Sequence, residues 1–264
     1  MTGGLFYALC SLTVACMFER VADRSYLGTK TGGRPRRRRR SLLRRLLVWV
    51  IGIVVVLPVA LIALFRFVPP PLTPLMLATW ISDGTLSKSW VPLDEISPNL
   101  VRAVIASEDG KFCSHHGFDF AAIDKALDHN ADGGSVRGAS TISQQTAKNL
   151  FLWTNRTWTR KSVEAYLTVL IEFMWPKRRI METYLNVAEW GPARFGAEAA
   201  AEGNFRKSAA KLSLGEAARL AVILPSPRNY RADRPGPYVA RQSDVIAARV
   251  GEVRRDRLDS CIYR

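Results

Sequence analysis

Residues 138–152 read GASTISQQTAKNLFL. Thr141 stands three residues before Gln144, the spacing of a capping box, in which the hydroxyl takes a first-turn N–H and the glutamine side chain reaches back. The spacing predicts a helix that opens at Thr141. On it Thr141, Gln145, Lys148 and Asn149 fall at i, i+4, i+7 and i+8, so four hydrogen-bonding groups share one face. A solvated face is the simplest account of such a pattern. Yet Lys148 is its one charge, and Gly133, Gly134 and Gly138 mark a polar loop just before it, which suits an oligosaccharide or a phosphate better than bulk water.

Helical signals continue on both sides. Ser97-Pro98 is a start signal, and Leu100, Val101, Val104 and Ile105 form an apolar stripe running into Glu108-Asp109. Asp119 opens a helix with Phe120, Ile123 and Leu127 at core spacing. Downstream, Val163, Leu167, Leu170 and Met174 share a side of a segment from Arg160 to Trp175, which Pro176 ends. Residues 177–190 continue with Ile180, Tyr184, Leu185 and Ala188, stopping at Gly191, and Ser213-x-x-Glu216 caps a last clear helix. Strand signals are few, so the expected fold class is all-α or α-dominated, with a basic, weakly patterned tail after Pro235.

The chain has 264 residues, 48% of them hydrophobic, which excludes wholesale disorder and allows one or two domains. Its net charge of +15 invites a nucleic-acid reading. The position of the charge argues against it: residues 1–45 hold eleven Lys/Arg and two Asp/Glu, with Arg34, Arg36 to Arg40, Arg44 and Arg45 clustered directly before an apolar run. That run, LLVWVIGIVVVLPVALIALF from Leu46 to Phe65, has no charged residue and the length of about 20 residues that a bilayer-crossing helix needs. Pro58 is tolerable there if the freed carbonyl is re-satisfied locally. The arginine flank orients the span with its N-terminus cytoplasmic. A cleaved signal peptide fits less well, because the apolar stretch is too long and no A-x-A site follows.

The expected organisation is therefore a basic cytoplasmic segment at 1–45, a transmembrane helix at 46–68 and an extracytoplasmic domain with a short C-terminal tail at 69–264. Residues 5–18, LFYALCSLTVACMF, are too brief to span and read as an over-extended start or a leader. VPPPLTPLM after the span should run as an extended stalk. Four cysteines rule out a small disulfide-built scaffold, no CxxC or Cys/His pair has zinc spacing, and the state of the cysteines stays open.

Two further clusters carry chemistry. Arg156, Arg160, Lys161 and Glu164 can be helix-surface salt bridges or a cationic patch for a diphosphate, since Arg presents a planar fork to phosphate oxygens. EDGKFCSHHG, residues 108–117, places two carboxylates and two His after an apolar helix. A carboxylate so placed can have its pKa raised and act as a general base, whereas His115 and His116 lack a matching third metal ligand.

In this order the segments resemble the peptidoglycan glycosyltransferases, over about residues 72–235. Glu108-Asp109-x-x-Phe112-x-x-His115-x-Gly117 matches the first family motif. Gly138-Ala139-Ser140-Thr141-Ile142-Ser143-Gln144-Gln145-x-x-Lys148-Asn149 is similar to the second, with Ser143 where Thr is usual. Arg160-Lys161-x-x-Glu164 is similar to the third, and Lys177-x-x-Ile180-x-Glu182-x-Tyr184-Leu185-Asn186 to the fourth. Asn204-Phe205-Arg206-Lys207 departs from the family's usual YFGK, and no penicillin-type Ser-x-x-Lys domain follows, so the likeness is to the monofunctional biosynthetic form.

The resemblance implies a lysozyme-like glycosyltransferase domain behind a single N-terminal transmembrane helix, in the bacterial inner membrane with the catalytic domain periplasmic. It implies joining of lipid II into β-1,4 glycan strands by an inverting mechanism, with undecaprenyl diphosphate leaving. The implied catalytic pair is Glu108, the base, and Glu164. Lys148, Arg156, Arg160 and Lys161 would neutralise the diphosphate, while Asp109, Phe112, His115, Ser140, Thr141, Gln145 and Asn149 would hold sugar and base. The implied partners are lipid II, the nascent glycan strand, the bilayer and cell-wall synthesis or division proteins, with no nucleic acid. No cofactor is required, and a divalent cation, Mg or Mn, beside Glu164 is an option. Phe151, Trp153 and Trp158 are candidates for membrane contact or for the core. A lysozyme-like lytic hydrolase would share the helices and an acid Glu but use water, not a diphosphate-binding cation set. A non-catalytic wall-binding protein would not need Glu108 and Glu164.

Overall fold

The computed structural model describes residues 36–131, 138–155 and 157–263. Of the features singled out above, residues 1–33, Arg34, Gly133, Gly134 and Arg156 lie outside them. The chain divides into two units between Val50 and Ile51. Helix α1 (Arg36–Ile51) carries the arginine run, and a π-helical turn (Gly52–Val56) and α2 (Leu57–Phe65) follow. Within the helical stretch Arg44–Phe65 an 18-residue window has a mean hydropathy of 3.0, and the helix is long and apolar enough to cross a membrane.

Pro58 has no N–H and leaves the carbonyl four residues back, that of Val54, without its helical donor. The π-turn widens the helix at that point, with the Leu57 N–H donating to the Gly52 carbonyl. The Val54 carbonyl accepts instead from the Tyr166 hydroxyl at 3.2 Å, so the partner is distant in sequence and not local as expected. The end of the helix is tied down in the same way. Trp175 Nε1 donates to the Ile62 carbonyl at 2.7 Å, and the Arg179 guanidinium donates to the Phe65 carbonyl at 2.7 and 3.0 Å. A cation at the helix C-terminus both satisfies open carbonyls and opposes the helix dipole.

The expected stalk is short. Thr73 caps α3 (Pro74–Asp83) by accepting from the Met76 N–H, Pro74 takes the first helical position, and Lys88 Nζ binds the Pro70 and Pro71 carbonyls at 2.7 and 2.6 Å. Then come α4 (Pro98–Glu108), capped by Ser97, and α5 (Phe120–Ala131), whose first turn is held by Asp119. Helices α6 (Ile142–Phe151), α7 (Trp158–Met174) and α8 (Lys177–Val187) pack on one another, and the capping box of Thr141 and Gln144 is fully formed. α9 (Ala197–Phe205) and α10 (Leu214–Ile223) complete the middle of the domain, the latter with the expected Ser213–Glu216 box.

Two expectations are corrected. The helix from 177 ends at Val187, and Glu189–Gly191 (β2) pairs antiparallel with Arg194–Phe195 (β3), which pairs parallel with Ser87–Lys88 (β1). Gly196 follows at φ +95°, where a Cβ would lie 2.3 Å from the Ser89 carbonyl oxygen, so glycine is required for the sheet to close. The region after Pro235 is no tail. Pro237 starts α11 (Pro237–Arg255), which buries Val239, Ile246, Val250 and Val253 against α4 and α10.

The last residues return to α4. Asp259 accepts from Arg102 Nε at 2.7 Å, Arg178 reaches the Ile262 carbonyl at 3.3 Å, and Cys261 forms a disulfide with Cys113, 148 residues earlier. A cross-link closing so long a loop restricts the unfolded chain strongly. Cys261→Ala, or reduction of the parent, is expected to lower stability by about 2–5 kcal/mol, checked by denaturant melts with and without reductant.

Candidate active site

The loop after α4 and the start of α6 are bonded to each other at every turn. Asp109 Oδ2 accepts the Ile142 N–H at 3.0 Å, one of the first-turn donors that no helical carbonyl can reach. His115 Nε2 donates to both oxygens of Asp109 at 2.9 and 3.0 Å, and its Nδ1 accepts the Gly117 N–H at 3.1 Å, so the network assigns the neutral Nε2–H tautomer. The Thr141 hydroxyl donates to the Gly117 carbonyl at 2.6 Å. Phe112 is fully buried with Lys177 Nζ 4.5 Å from its ring centre. Lys177 in turn pairs with Glu172 at 2.7 Å, and Glu172 also accepts from the Ser143 hydroxyl. The polar atoms of Asp109, His115 and Thr141 are thus engaged within the fold, and the Phe112 ring is packed inside it.

Beside them opens a cleft of about 490 Å³. Ser140, Gln145, Lys148, Asn149, Arg160, Lys161 and Glu164 line it, together with Gly138, Tyr184, Glu189 and the apolar Leu75, Leu224, Pro225 and Pro227. Glu164 is only 2% exposed, which rejects the surface-salt-bridge reading of its cluster. Its Oε2 accepts from Arg160 Nη1 at 2.7 Å and its Oε1 from Lys161, whose Nζ also meets the Ser140 hydroxyl at 3.3 Å. With both oxygens so engaged, and no group of three His, Cys, Asp or Glu side chains gathered among the described residues, Glu164 does not fit a divalent cation. Arg160 Nε is buried with no partner among the described residues, an uncompensated donor. Lys148 has its pKa lowered by burial, with Arg160 and Lys161 pushing the same way against the attraction of Glu164 and Glu108. Three cations against two carboxylates, Glu164 and the Arg228-paired Glu189, leave an excess positive charge in the cleft, the condition for binding an anion.

Glu108 is partly exposed and joins this wall through Gln145, whose Nε2 donates to its Oε2 at 2.8 Å. Burial raises its pKa; the Gln145 bond and Lys148 oppose the rise, and Asp109 adds to it. A carboxylate held above its usual range, beside a donor and a cation, is arranged to take up a proton. Tyr184 Oη donates to Gln145 Oε1 at 3.3 Å. Sequence reasoning had Tyr184 in a motif and gave it no role, because its spacing marks it equally well as core. Glu189 escaped notice altogether. It lines the cleft, and its partners Arg228 and, through Arg228, Asp83 come from remote segments at 2.8 and 3.0 Å.

A transglycosylase family profile matches residues 76–250. The chain belongs to this transglycosylase family. Proteins named biosynthetic peptidoglycan transglycosylase are similar over most of their length: that of Caulobacter vibrioides is 51% identical, covering 84% of this chain and 97% of its own. That of Rhodospirillum centenum is 54% identical, covering 84% and 96%, and that of Pseudomonas aeruginosa 48%, covering 82% and 96%. The chain is a peptidoglycan transglycosylase with a helical, lysozyme-like domain. The profile extends to 250, into α11, and so places within the family domain a helix that had been read as tail.

The raised pKa of Glu108 has a signed consequence for this transglycosylase. If ionised Glu108 is required, activity falls as the pH drops through its folded-state value, which lies above the usual 4.5. The folded state also binds this proton more tightly than the unfolded chain, so the group favours folding least once the pH exceeds that value. Glu108→Gln is accordingly expected to abolish turnover while melting no lower than the parent at neutral pH, checked by calorimetry beside the rate assay.

Proposed function

We propose that the transglycosylase polymerises lipid II, with Glu108 as general base, by direct displacement at the anomeric carbon. The acceptor's 4-hydroxyl oxygen attacks C1 of the donor sugar from the face opposite the diphosphate. The bond from C1 to the diphosphate oxygen breaks, its electron pair leaves with undecaprenyl diphosphate, and the acceptor's proton passes to Glu108. One displacement inverts C1. The observation that carries this reading is that α6, through Gln145 and Lys148, brings a proton acceptor at Glu108 on α4 together with the cation set Lys148, Arg160 and Lys161, the last two on α7 around buried Glu164. Arg160 Nη1 and Lys161 Nζ, which hold Glu164 at the edge of the cleft, are the donors assigned to the leaving diphosphate. Arg156, by its place in the sequence, is assigned to the same anion.

The helix Arg44–Phe65 is the single membrane anchor in this reading, with its arginine-rich end cytoplasmic and the catalytic domain periplasmic. A disulfide in the domain agrees with an oxidising compartment. Tyr166 and Trp175 hold the outer half of the span against the domain, so α7 stands beside apolar chain. Trp158 and Phe173, each 89% exposed on α7, are then lipid-facing, whereas Trp153 lines the cleft and Phe151 stacks on Phe65 at 6.1 Å. Tethering keeps the cleft near a substrate that cannot leave the bilayer. Cell-wall synthesis or division proteins are the partners this placement makes available.

Detergent-solubilised protein given lipid II should make polymer that muramidase digests, and Glu108→Gln should make none; cleavage of preformed glycan without polymer would assign the lytic reaction instead. Lys148→Ala is expected to cut the polymerisation rate by about 10²-fold or more with a melting temperature close to the parent's, because a charge-stabilising group is lost from a cleft wall and not from the core.

A further inference from the structure

Gln145 sits between two groups of different hydrogen-bonding character. A carboxamide has a donor end and an acceptor end, an ionised carboxylate only accepts, and a phenol does either. While Glu108 is ionised, the amide must turn Nε2 toward it, and the 2.8 Å contact is that arrangement. Gln145 Oε1 then needs a donor, and Tyr184 Oη supplies it at 3.3 Å. Tyr184 is 1% exposed, and its hydroxyl has no other hydrogen-bond partner among the described residues.

Once Glu108 holds a proton, a second arrangement becomes open to the same groups. Glu108 O–H donates to Gln145 Oε1, and Gln145 Nε2 donates to the Tyr184 oxygen. The two arrangements are related by a half-turn of the amide, and they differ at the phenol: the Tyr184 O–H has an acceptor in the first and none among the described residues in the second, so Tyr184 favours the orientation that supports ionised Glu108.

We propose that Tyr184 is a positioning residue of the transfer reaction, holding the Gln145 amide with its NH2 toward ionised Glu108 and releasing it to turn when Glu108 takes the acceptor's proton. This rests on Glu108 being the base. Burial first, with the charges of Glu108 and Asp109, pushes the Tyr184 pKa well above its ordinary value, so the phenol keeps its proton throughout the working range. The groups that bear on Glu108 are Gln145 and Lys148 from α6, Tyr184 from α8 and the adjacent Asp109. Lys148 and Asp109 act through charge and are indifferent to which way the amide faces. Tyr184 acts by selecting its orientation.

The test is the pH dependence of kcat/KM for lipid II polymerisation by the full-length detergent-solubilised protein, comparing the parent, Tyr184→Phe and Gln145→Met, with Glu108→Gln as reference. Without the phenol, Gln145 loses the donor that fixes its orientation, and ionised Glu108 loses support. The acid limb of the Tyr184→Phe profile is expected to move up by about half to one pH unit, the size of one net hydrogen bond, with most of the rate recovered above the limb. Gln145→Met should shift the limb the same way, and combining the two changes should move it no further than Gln145→Met alone. A limb that stays in place, or a loss equal at every pH, overturns the proposal and returns Tyr184 to a core role. Should Tyr184→Phe not fold, the Gln145→Met profile decides by the same criterion. Polymerisation surviving Glu108→Gln would instead remove the reading of Glu108 as base, an outcome separable from an unmoved limb in an otherwise Glu108-dependent enzyme.

Discussion

The first turn of an α-helix exposes backbone N–H groups that its own carbonyls cannot satisfy, and in α6 their satisfaction organises the whole site. Thr141 and Gln144 take their share within the turn, but the Ile142 N–H is bonded by Asp109 from the loop after α4. That bond fixes the end of α4 relative to the start of α6. Glu108 precedes Asp109 by one residue, and Gln145 lies three residues beyond Ile142. The contact between the carboxylate and the amide that faces it therefore follows from how a helix terminus is capped. His115 and Thr141 reinforce the same join, which is why Asp109, His115 and Thr141 all turn inward.

The cleft carries an imbalance of charge. Glu164 is a buried acid with both oxygens engaged by Arg160 and Lys161, while Lys148 stands near by with its charge disfavoured by burial. Taking charges out of water is costly, and a fold retains such an arrangement stably only with compensation. In the proposed reaction the diphosphate would compensate Lys148 and Arg160 together. The same cost explains why Glu108 is held above its ordinary pKa in the free protein.

The apolar helix is joined to the catalytic domain through its own defect. Pro58 opens a carbonyl that Tyr166 fills, and the helix end is closed by Trp175 and Arg179. Each donor comes from α7, α8 or the residue between them, and α7 bears Glu164 while α8 bears Tyr184. The apolar helix and the cleft thus share the same supporting elements.

Most helices of the domain could be read directly, because caps and apolar periodicity are local: Ser97, Asp119, Thr141 and Ser213 each begin a helix where the spacing puts it. The C-terminal helix could not, since Ser243 interrupts its stripe and arginines dilute it, and only packing on α4 and α10 reveals its buried face. The same divide runs through the site. Residue types at helical spacing determined that Gln145, Lys148 and Asn149 share a face and that Arg160, Lys161 and Glu164 adjoin. Whether a polar side chain faces substrate or a buried backbone group depends on partners tens of residues away, so only tertiary structure could turn Asp109 and His115 inward, bring Tyr184 and Glu189 to the cleft and pair Cys113 with Cys261. Local hydrogen bonding is written in sequence spacing; desolvation and long-range pairing exist only once the chain has closed on itself.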